Sequence, residues 1–269
     1  MGNILNSQPQ RLGDLATRFF AYAQLRQKET VRTGELQEEL AISPDRERDL
    51  LRRLARSGWI VRLRRGLYLV PPSIPAGRYS PGVYLALQKL MEDREGTYQI
   101  CGPSAFSHYR LSEQVTNITY VYNNRISGER IIGSLRYVLI KVADQRLGAI
   151  SSFTTPDGAR AVYSSKARTL MDAVYDWSRF NGLPRAYDWI RDSLSMGECV
   201  GELVEATLSF GNQASTRRIG YLLDTLEQPK RLLKKLKSSL NPTRALIPWI
   251  PTKPQRGRIN REWGLIIND

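Results

Sequence analysis

The stretch SPDRERDLLRRLARSGWIVRLRRGLYLVP, residues 43–71, decides the fold of the N-terminal part of the chain. Ser43 is a favourable N-cap residue and Pro44 a favourable first helical residue, so a helix is predicted to begin here. Gly58 suits the position just after a helix, where the backbone often turns left-handed. The apolar residues of this predicted helix share one face: Leu50, Leu51 and Leu54.

The opposite face of this helix is charged. At about 100° per residue, it carries acidic and basic residues together: Asp45, Arg48, Asp49, Arg52 and Arg56. The arginines follow one another at intervals of four residues, and like charges at that spacing destabilise an isolated helix by about 0.2–0.5 kcal/mol per pair. An anionic partner lying along the helix would offset this cost. The alternative is a solvated surface, which is the usual role of an arginine-rich helix face.

The residues after this helix predict a short β-hairpin. Residues 59–63 and 67–70 alternate as strands do, and the turn between them reads Arg64-Arg65-Gly66. Two prolines follow and end the pairing, because proline lacks the amide donor that a strand ladder needs. The predicted hairpin therefore carries arginines at its tip.

A shorter helix is predicted upstream, with Thr33 as its cap and with Leu36 and Leu40 on one face. Residues 41–43 link it to the arginine-rich helix. Helix, short link, helix and basic hairpin is the order of a winged helix-turn-helix, in which the second helix enters the DNA major groove and the hairpin is the wing. The sequence therefore predicts a DNA-binding domain with these residues as DNA contacts: Thr33, Arg46, Arg48, Arg52, Arg53, Arg56, Arg62, Arg64 and Arg65.

The net charge of +14 is concentrated at the two ends of the chain. Residues 1–80 hold 14 Lys/Arg and 8 Asp/Glu, residues 81–227 hold 16 of each, and residues 228–269 hold 10 and 2. Localised positive charge indicates a localised anionic partner, and nucleic acid is the simplest such partner.

The composition divides the chain at residues 71–82, PPSIPAGRYSPG, which are rich in Pro, Gly and Ser and typical of a linker. We therefore predict a DNA-binding domain over residues 1–78 and a second domain over residues 79–269. A helix over residues 11–28 is expected to cover the back of the helix-turn-helix.

The second domain is predicted to be mixed α/β. Strand-like alternation marks four segments: residues 98–101, 115–122, 134–142 and 160–163. The strand at residues 98–101 is followed by a predicted helix that Ser104 helps to start. Gly128 and Glu129 belong to a predicted turn. A further helix is predicted over residues 167–177. The fold class is α+β: an N-terminal winged helix-turn-helix, then a mixed α/β C-terminal domain with a basic C-terminal segment, residues 228–269.

The basic C-terminal segment opens with PKRLLKKLKSSL, residues 229–240, which predicts an amphipathic helix. Its leucines face inward, and its cations form a possible second basic patch: Lys230, Arg231, Lys234, Lys235 and Lys237. Prolines make residues 241–257 extended and loop-like. The apolar ending, residues 261–267, is expected to dock on the body of the domain.

No set of residues completes a catalytic or metal site. His108 is the single histidine, and although Ser104 lies one helical turn before it, no acidic residue nearby in the sequence would orient the pair. Asp172 is expected to be a structural hydrogen-bond acceptor. We therefore predict that the protein is not an enzyme and has no cofactor and no metal.

Two signatures of nucleic-acid enzymes begin in the sequence but are incomplete. Gly133-Ser134 resembles the start of a nucleotidyltransferase signature, but Asp144 stands alone where such a site needs two close carboxylates for magnesium. Asp157 resembles the first acid of a restriction-type nuclease, but Ser164 stands where the second acid is needed. Both enzyme classes are disfavoured.

The remaining composition indicates a cytoplasmic protein without a membrane segment. Cys101 and Cys199 are too few for a disulfide framework or a zinc site and fit a reducing compartment. No apolar run approaches the ~20 residues of a membrane span. The N-terminal residues lack the charged start and apolar core of a signal peptide.

Four segments together resemble the AbiEi-type antitoxins of bacterial type IV toxin–antitoxin (abortive infection) systems. GWIVRLRRGLYLV resembles that family's Arg-Arg-Gly-aromatic wing, YQICGPSAFSHYRL the opening of its second domain, SSKARTLMDAVYD its Thr-Leu-x-Asp segment, and NREWGLIIND its Trp-Gly ending. The resemblance spans residues 33–269 and is carried by the order and spacing of short motifs. It departs from the family at Tyr109-Arg110-Leu111, where His-Gly-Leu is more frequent.

The resemblance implies two roles in phage defence. The winged-helix domain would bind double-stranded DNA at inverted repeats in its own promoter and repress the operon, and the second domain would counteract a cognate nucleotidyltransferase toxin. The second basic patch then has three possible partners, namely DNA, an acidic surface of the toxin, or solvent. Two other functions remain open: a transcriptional regulator whose second domain senses a ligand, and a DNA-targeted nuclease.

Overall fold

The structure, a computed structural model, describes residues 12–114 and 116–269. The chain forms two compact units, which we describe separately. The first unit holds the residues up to Glu95 with Ile131–Leu135 and Thr155–Arg160, and the second holds Gly96–Arg130, Arg136–Thr154 and Ala161–Asp269. What the sequence predicts for residues 1–11 and for Val115 lies outside the described residues.

The first unit is a winged helix-turn-helix followed by one further helix. Its elements are α1 (Asp14–Leu25), β1 (Thr30–Arg32), α2 (Leu36–Glu39), α3 (Pro44–Arg56), β2 (Val61–Arg64), β3 (Leu67–Leu69) and α4 (Val83–Asp93). The strands form an antiparallel sheet in the order β1-β3-β2, and residues 71–82 contain neither helix nor strand. Strand β1 is an element that the sequence pattern does not predict. Because α4 packs within this unit, the compact unit extends past residue 78, and the domain division at that residue stays a prediction.

Helix α3 begins and ends at the predicted residues. The Ser43 hydroxyl accepts a hydrogen bond from the amide three residues later at 3.4 Å, and Pro44 occupies the first turn. At the other end, Gly58 has a φ of 77°, and the amides of Gly58 and Trp59 donate to carbonyls of the last helical turn. This arrangement satisfies carbonyls that a helix end leaves free and directs the chain into the wing.

The core of the first unit lies between α1, α3 and the sheet. The apolar face of α3 is buried, as predicted: Leu50, Leu51 and Leu54. The residues in the same buried cluster include Phe19, Phe20, Leu36 and Ile60. Burying a side chain of this size stabilises the fold by about 1.5–3 kcal/mol. Helix α1 ends at Leu25, which is 84% exposed, rather than at residue 28 as predicted.

The start of α2 differs from the prediction. Thr33 does not cap this helix, since its N-cap residue is Glu35, which makes no side-chain cap bond. The buried carboxylate of Glu47 on α3 takes that role instead: it accepts hydrogen bonds from the amides of Gly34, at 2.8 and 2.9 Å, and Leu36, at 2.9 Å. A carboxylate in this position satisfies free amides and interacts favourably with the helix dipole. The bonds hold α2 against α3.

The second unit contains a group of helices, a small C-terminal sheet and most of a mixed sheet, of which only Ile131, Ile132, Leu135 and Arg160 are grouped with the first unit. Its elements are β4 (Tyr98–Ile100), α5 (Gly102–His108), β5 (Ile118–Asn123), β6 (Gly128–Ile132), β7 (Leu135–Lys141), β8 (Ile150–Thr154), β9 (Arg160–Ser164), α6 (Lys166–Tyr175), α7 (Trp177–Phe180), α8 (Arg185–Ser195), α9 (Val200–Phe210), α10 (Gln213–Thr225), α11 (Lys230–Ser238), β10 (Ile247–Pro248), β11 (Arg258–Asn260) and β12 (Leu265–Ile267). The six-stranded sheet has the order β6-β7-β5-β4-β9-β8. Strand β4 is antiparallel to β5 and parallel to β9, and β5 is parallel to β7.

The segments predicted as strands in the second domain are present as β4, β5, β7 and β9, with ends shifted by up to three residues. The predicted turn at Gly128 and Glu129 is wrong, since these residues begin β6. Strand β8 is not predicted from the sequence at all. Strands β6 and β8 are the two edge strands of the sheet, and residues 150–154 are exposed along the whole of β8. Neither strand therefore shows the alternation of buried and exposed residues by which a strand is predicted from sequence.

The core of the second unit is built around α6 and closed by the C-terminal residues. Trp263 is 1% exposed, its Nε1 donates to Asp224 Oδ2 at 2.8 Å, and a Cβ on Gly220 would overlap its ring. Leu265 and Ile267 of β12 are also buried. The prediction that the apolar ending docks on the body is therefore confirmed.

Within the described residues, no helix is both long and apolar enough to cross a membrane.

Candidate nucleic-acid interface

The surface between α3 and the wing is concave and basic. We call it the wing groove, and the residues that line it are Thr33, Arg48, Arg52, Arg62, Arg65, Gly66 and Tyr68. Helix α3 supplies two arginines one turn apart, and the β2–β3 hairpin supplies the other two. Five of the nine predicted DNA contacts therefore line one surface.

Arg48 and Arg52 each pair with an acidic residue three positions earlier on α3, Asp45 and Asp49 respectively. All four side chains are more than half exposed, so each pair stabilises the helix by at most about 1 kcal/mol. The acids offset the repulsion between the arginines in the free protein. A phosphate or a base edge can replace either carboxylate at small energetic cost.

The tip of the wing is tied to the segment before α2. The Thr33 amide donates to the Gly66 carbonyl at 3.0 Å, and Gly66 has a φ of 77°, a conformation that favours glycine. Arg62 pairs across the hairpin with Tyr68, so both side chains lie on the same face of the wing. Arg65 and Arg62 are exposed, and both are directed to the solvent side of the hairpin.

Arg64 differs from its neighbours on the wing. Its Nε and Nη2 lie 2.5 and 2.6 Å from the two carboxylate oxygens of Asp93 at the end of α4. Asp93 also pairs with Arg32 at 2.8 Å, and its side chain is 3% exposed. The hydrogen bonds from Arg64 hold the pKa of Asp93 below its ordinary value. Arg64, predicted as a DNA contact, is thus bound within the unit, and its contact with DNA stays a prediction.

The remaining predicted contacts lie on the other flank of α3. Arg46, Arg53 and Arg56 line a second concave surface together with Gly13, the residue that caps the start of α1. All three arginines are exposed, and in the described part of the chain no ion pair involves them. These three arginines therefore add exposed positive charge to this flank of α3.

The possible second basic patch lies on α11, whose Leu233 and Leu236 are buried as predicted. Two of its five cations are already paired: Lys235 Nζ lies 2.7 Å from Glu205, and Lys237 pairs with Glu262. The other three are exposed and are Lys230, Arg231 and Lys234. The helix therefore presents fewer cations that are free of an acidic partner than its sequence alone indicates.

The structure does not bring the enzyme candidates together. The Ser104 hydroxyl donates to the Ile118 carbonyl at 3.1 Å and accepts from the Tyr120 amide at 3.0 Å. The His108 ring stacks on Tyr163 at a centroid distance of 4.0 Å, and partial burial lowers its pKa. Ser104 is thus bound to the backbone of β5 rather than prepared as a nucleophile.

Asp172 is a hydrogen-bond acceptor, as predicted. It is fully buried on α6 and accepts from Arg168 Nε at 2.8 Å and from Arg146 Nη2 at 3.1 Å. Within residues 12–114 and 116–269, no cluster of three or more His, Cys, Asp and Glu side chains could hold a metal ion.

Sequence reasoning does not identify the roles of two residues of the first unit. Tyr68 lines the wing groove, and its position opposite Arg62 could have been found from the period-two alternation of the two strands. Glu47 joins α2 to α3, and no local signal predicts this because a glutamate in an arginine-rich helix normally indicates a surface ion pair.

Comparison with known proteins gives one family match and a structural likeness. Residues 21–71 match the family model described as "Transcriptional regulator, AbiEi antitoxin". This segment runs from α1 to the end of the wing, so the match covers the winged helix-turn-helix, and the chain is similar to an AbiEi domain over these residues alone. The match supports a DNA-binding regulator, and a family of this description suggests a protein that is not an enzyme.

Among solved structures, the crystal structure of the RV2827C protein from Mycobacterium tuberculosis is similar, with a TM-score of 0.55 and 18% sequence identity. The alignment covers 95% of this chain and 92% of that chain. At this identity the likeness concerns the fold alone. No curated protein matches the chain.

Proposed function

We propose that this protein is a DNA-binding antitoxin of a type IV toxin–antitoxin system. It binds inverted repeats in its own promoter as an autorepressor and counteracts a cognate nucleotidyltransferase toxin. The observation that carries the DNA-binding part is the wing groove, where two arginines of α3 face two arginines of the hairpin. The antitoxin part is supported by the family description for residues 21–71 and by the resemblance of the C-terminal motifs.

The elements of the first unit suit DNA in the manner of winged helices. Helix α3 enters the major groove, where the arginine fork of Arg48 or Arg52 can bind the O6 and N7 atoms of guanine. Arg62 and Arg65 contact the backbone or the adjacent minor groove and position the domain. Arg46, Arg53 and Arg56 on the other flank of α3 contact phosphates.

The second domain has no catalytic role in this proposal. Its candidate nucleophile is bonded to backbone, and its buried acid is bonded to two arginines. Residues 1–78 carry DNA binding and residues 79–269 carry antitoxicity. The protein acts in the cytoplasm, where both its promoter and its toxin are found.

Footprinting on the protein's own promoter tests DNA binding directly. Protection of two inverted half-sites is expected, together with loss of protection in the Arg48→Ala/Arg52→Ala variant. A matched control is Arg185→Ala/Arg191→Ala, which removes two exposed arginines of α8. Absence of protection by the wild-type protein, or equal protection by both variants, would reject the wing groove as the reader of the operator.

Co-expression tests the antitoxin part. The chain should restore growth to cells that express the nucleotidyltransferase encoded beside it, and a magnesium-dependent cleavage assay should show no DNA hydrolysis. Failure to rescue, combined with promoter binding that changes on addition of a metabolite, would favour the ligand-sensing regulator.

A further inference from the structure

The buried side chain of Glu47 on α3 contacts the start of α2. It accepts hydrogen bonds from the Gly34 amide, at 2.8 and 2.9 Å, and from the Leu36 amide, at 2.9 Å. A fourth bond comes from Gln37 Nε2 at 3.0 Å. A cap on the surface would satisfy the same amides without the cost of burying a carboxylate. Capping of α2 therefore does not by itself account for this residue.

The residue before Gly34 is bonded to the tip of the wing. The Thr33 amide donates to the Gly66 carbonyl at 3.0 Å, while the Gly34 amide donates to Glu47. Gly34 has a φ of 104°, a conformation that favours glycine. Two adjacent amides thus connect α3 to the wing tip. We call this connection the α3–wing link, and its members are Glu47, Gly34, Thr33 and Gly66.

The α3–wing link meets the hairpin at the end opposite to its covalent connection with α3. The chain passes from α3 to β2 through residues 57–60, whereas the link is bonded to the hairpin at its turn. Thr33 and Gly66 line the wing groove, and so does Arg48, the residue after Glu47. The link therefore controls the separation between the arginines of α3 and those of the wing tip.

A fixed separation matters when α3 and the wing contact one duplex together. Once α3 lies in the major groove, the wing arginines bind at an effective concentration that depends on where the wing is held. A wing tip that is already held in place also loses less conformational entropy on binding. The Arg64–Asp93 pair and the β1–β3 ladder should keep the hairpin folded when the link is broken. Breaking the link should therefore weaken the DNA contacts of the wing more than those of α3.

We propose that Glu47 is a positioning residue for DNA binding. Through the α3–wing link, it holds the wing tip at the distance from α3 at which Arg62 and Arg65 contact the same duplex as α3. Glu47 itself does not touch DNA, because its side chain is buried. The proposal rests on the proposed function, since it concerns the same DNA-binding surface.

A double-mutant cycle in the full-length protein tests this role. It compares wild type, Glu47→Gln, Arg62→Gln/Arg65→Gln and the combination of these changes. Glutamine keeps the size of the Glu47 side chain but replaces one acceptor oxygen with an amide donor. Binding is measured by fluorescence anisotropy with an operator duplex and a scrambled duplex of equal length, between about 50 and 200 mM salt.

Two further variants separate positioning from loss of the fold. Phe19→Leu changes a buried residue of α1 and leaves the α3–wing link intact, so it reports what lower stability alone does to DNA binding. Gln37→Met removes one of the four hydrogen bonds to Glu47, and it takes the place of Glu47→Gln in the cycle if that variant does not fold. Thermal unfolding measures the stability of every variant.

In the wild-type background, the wing variant should lower the salt slope of log K by about 1.8 if it no longer binds two phosphates. Glu47→Gln should lose much of the same slope and bind more weakly, although removal of a negative charge would by itself strengthen DNA binding. In the Glu47→Gln background, the wing change should cost about tenfold less affinity than in wild type, a coupling typical of residues in one hydrogen-bonded network. Phe19→Leu should retain the wild-type slope.

Additive losses of affinity in the cycle would overturn the proposal and leave Glu47 with a role in stability alone. A wild-type salt slope in the folded Glu47→Gln protein would have the same meaning. Failure of the proposed function is a different outcome: wild type then shows no preference for the operator, while the cycle on the scrambled duplex still decides about Glu47. A wild-type protein that binds neither duplex would overturn both.

Discussion

Arg64 on the wing and Asp93 at the end of α4 form a two-point ion pair, with N–O distances of 2.5 and 2.6 Å. The Arg64 side chain is 31% exposed and that of Asp93 is 3% exposed. The pair joins the hairpin to a helix that follows the predicted linker. Of two adjacent arginines at the wing tip, one therefore stabilises the fold and the other remains available to DNA.

The first prediction separates these two arginines. Arg64→Ala should lower the free energy of unfolding by about 1.5–3 kcal/mol, because it removes charged hydrogen bonds from a nearly buried carboxylate. Arg65→Ala should leave unfolding unchanged and weaken DNA binding. Urea denaturation and anisotropy on both variants measure the two effects, and equal stability of the two variants would contradict the assignment of Arg64.

The second prediction concerns pH. Because bonding to Arg64 lowers the pKa of Asp93 in the folded state, the unfolded chain binds the proton more readily. The stabilisation of the folded state by ionised Asp93 is complete above the ordinary aspartate pKa of about 3.9. It is lost as the pH falls through the lower pKa that Asp93 has in the folded state. The difference in unfolding free energy between wild type and Asp93→Asn should therefore be larger at neutral pH than in acid. A difference that grows on acidification would contradict this sign.

The third prediction assigns contacts within the wing groove. If Arg48 or Arg52 binds guanine bidentately, its replacement by alanine should cost about 1–3 kcal/mol and relax specificity at one base pair. Replacing Arg62 and Arg65 should weaken operator and scrambled DNA alike and reduce the salt slope by about 0.9 for each phosphate that the variant no longer binds. Binding to a set of single-base operator variants distinguishes the two effects.

The ion pairs on α3 provide a control for this assignment. Asp45→Asn and Asp49→Asn each remove a carboxylate that competes with DNA for an arginine. Both variants should bind any duplex more tightly, since each removes from the binding face a negative charge that repels the DNA phosphates. Weaker binding in either variant would mean that these acids orient the arginines for base contact.

Local signals explain which parts of this fold and site can be predicted. The cap at Ser43, the glycine at the end of α3 and the alternation of the hairpin each act within a few residues, and all three appear in the structure. The role of Arg64 cannot be predicted in this way, because its partner lies 29 positions along the chain. Strand β8 has no buried face, so it leaves no pattern in the sequence.

The fourth prediction concerns the buried cluster around Asp172. Two guanidinium groups share this carboxylate, and Arg168 also stacks on the Phe210 ring at 3.9 Å. Asp172→Ala would leave Arg168 buried without its counter-charge, which typically costs about 3–5 kcal/mol. The variant should unfold at lower urea concentration, and Glu205→Ala is a matched control that removes one exposed carboxylate from α9. Equal stability of the two variants would show that the cluster is not a structural one.

The last prediction separates repression from antitoxicity. The arginines of the wing groove lie in the first unit, whereas the middle of the sequence, residues 81–227, has no net charge. A full-length variant with Arg48, Arg52, Arg62 and Arg65 changed to alanine should therefore lose promoter repression and still rescue cells from the toxin. Both proteins must be expressed from an unrelated inducible promoter, since loss of autorepression would otherwise raise the antitoxin level and imitate rescue. The complementary fragments should divide in the same way, with residues 81–269 rescuing and residues 1–80 not rescuing. Because the second fragment lacks Asp93 and leaves Arg64 without its partner, residues 1–95 should also be tested. Rescue that disappears in the full-length variant, at equal protein level and equal thermal stability, would mean that antitoxicity acts through DNA and not through the second domain.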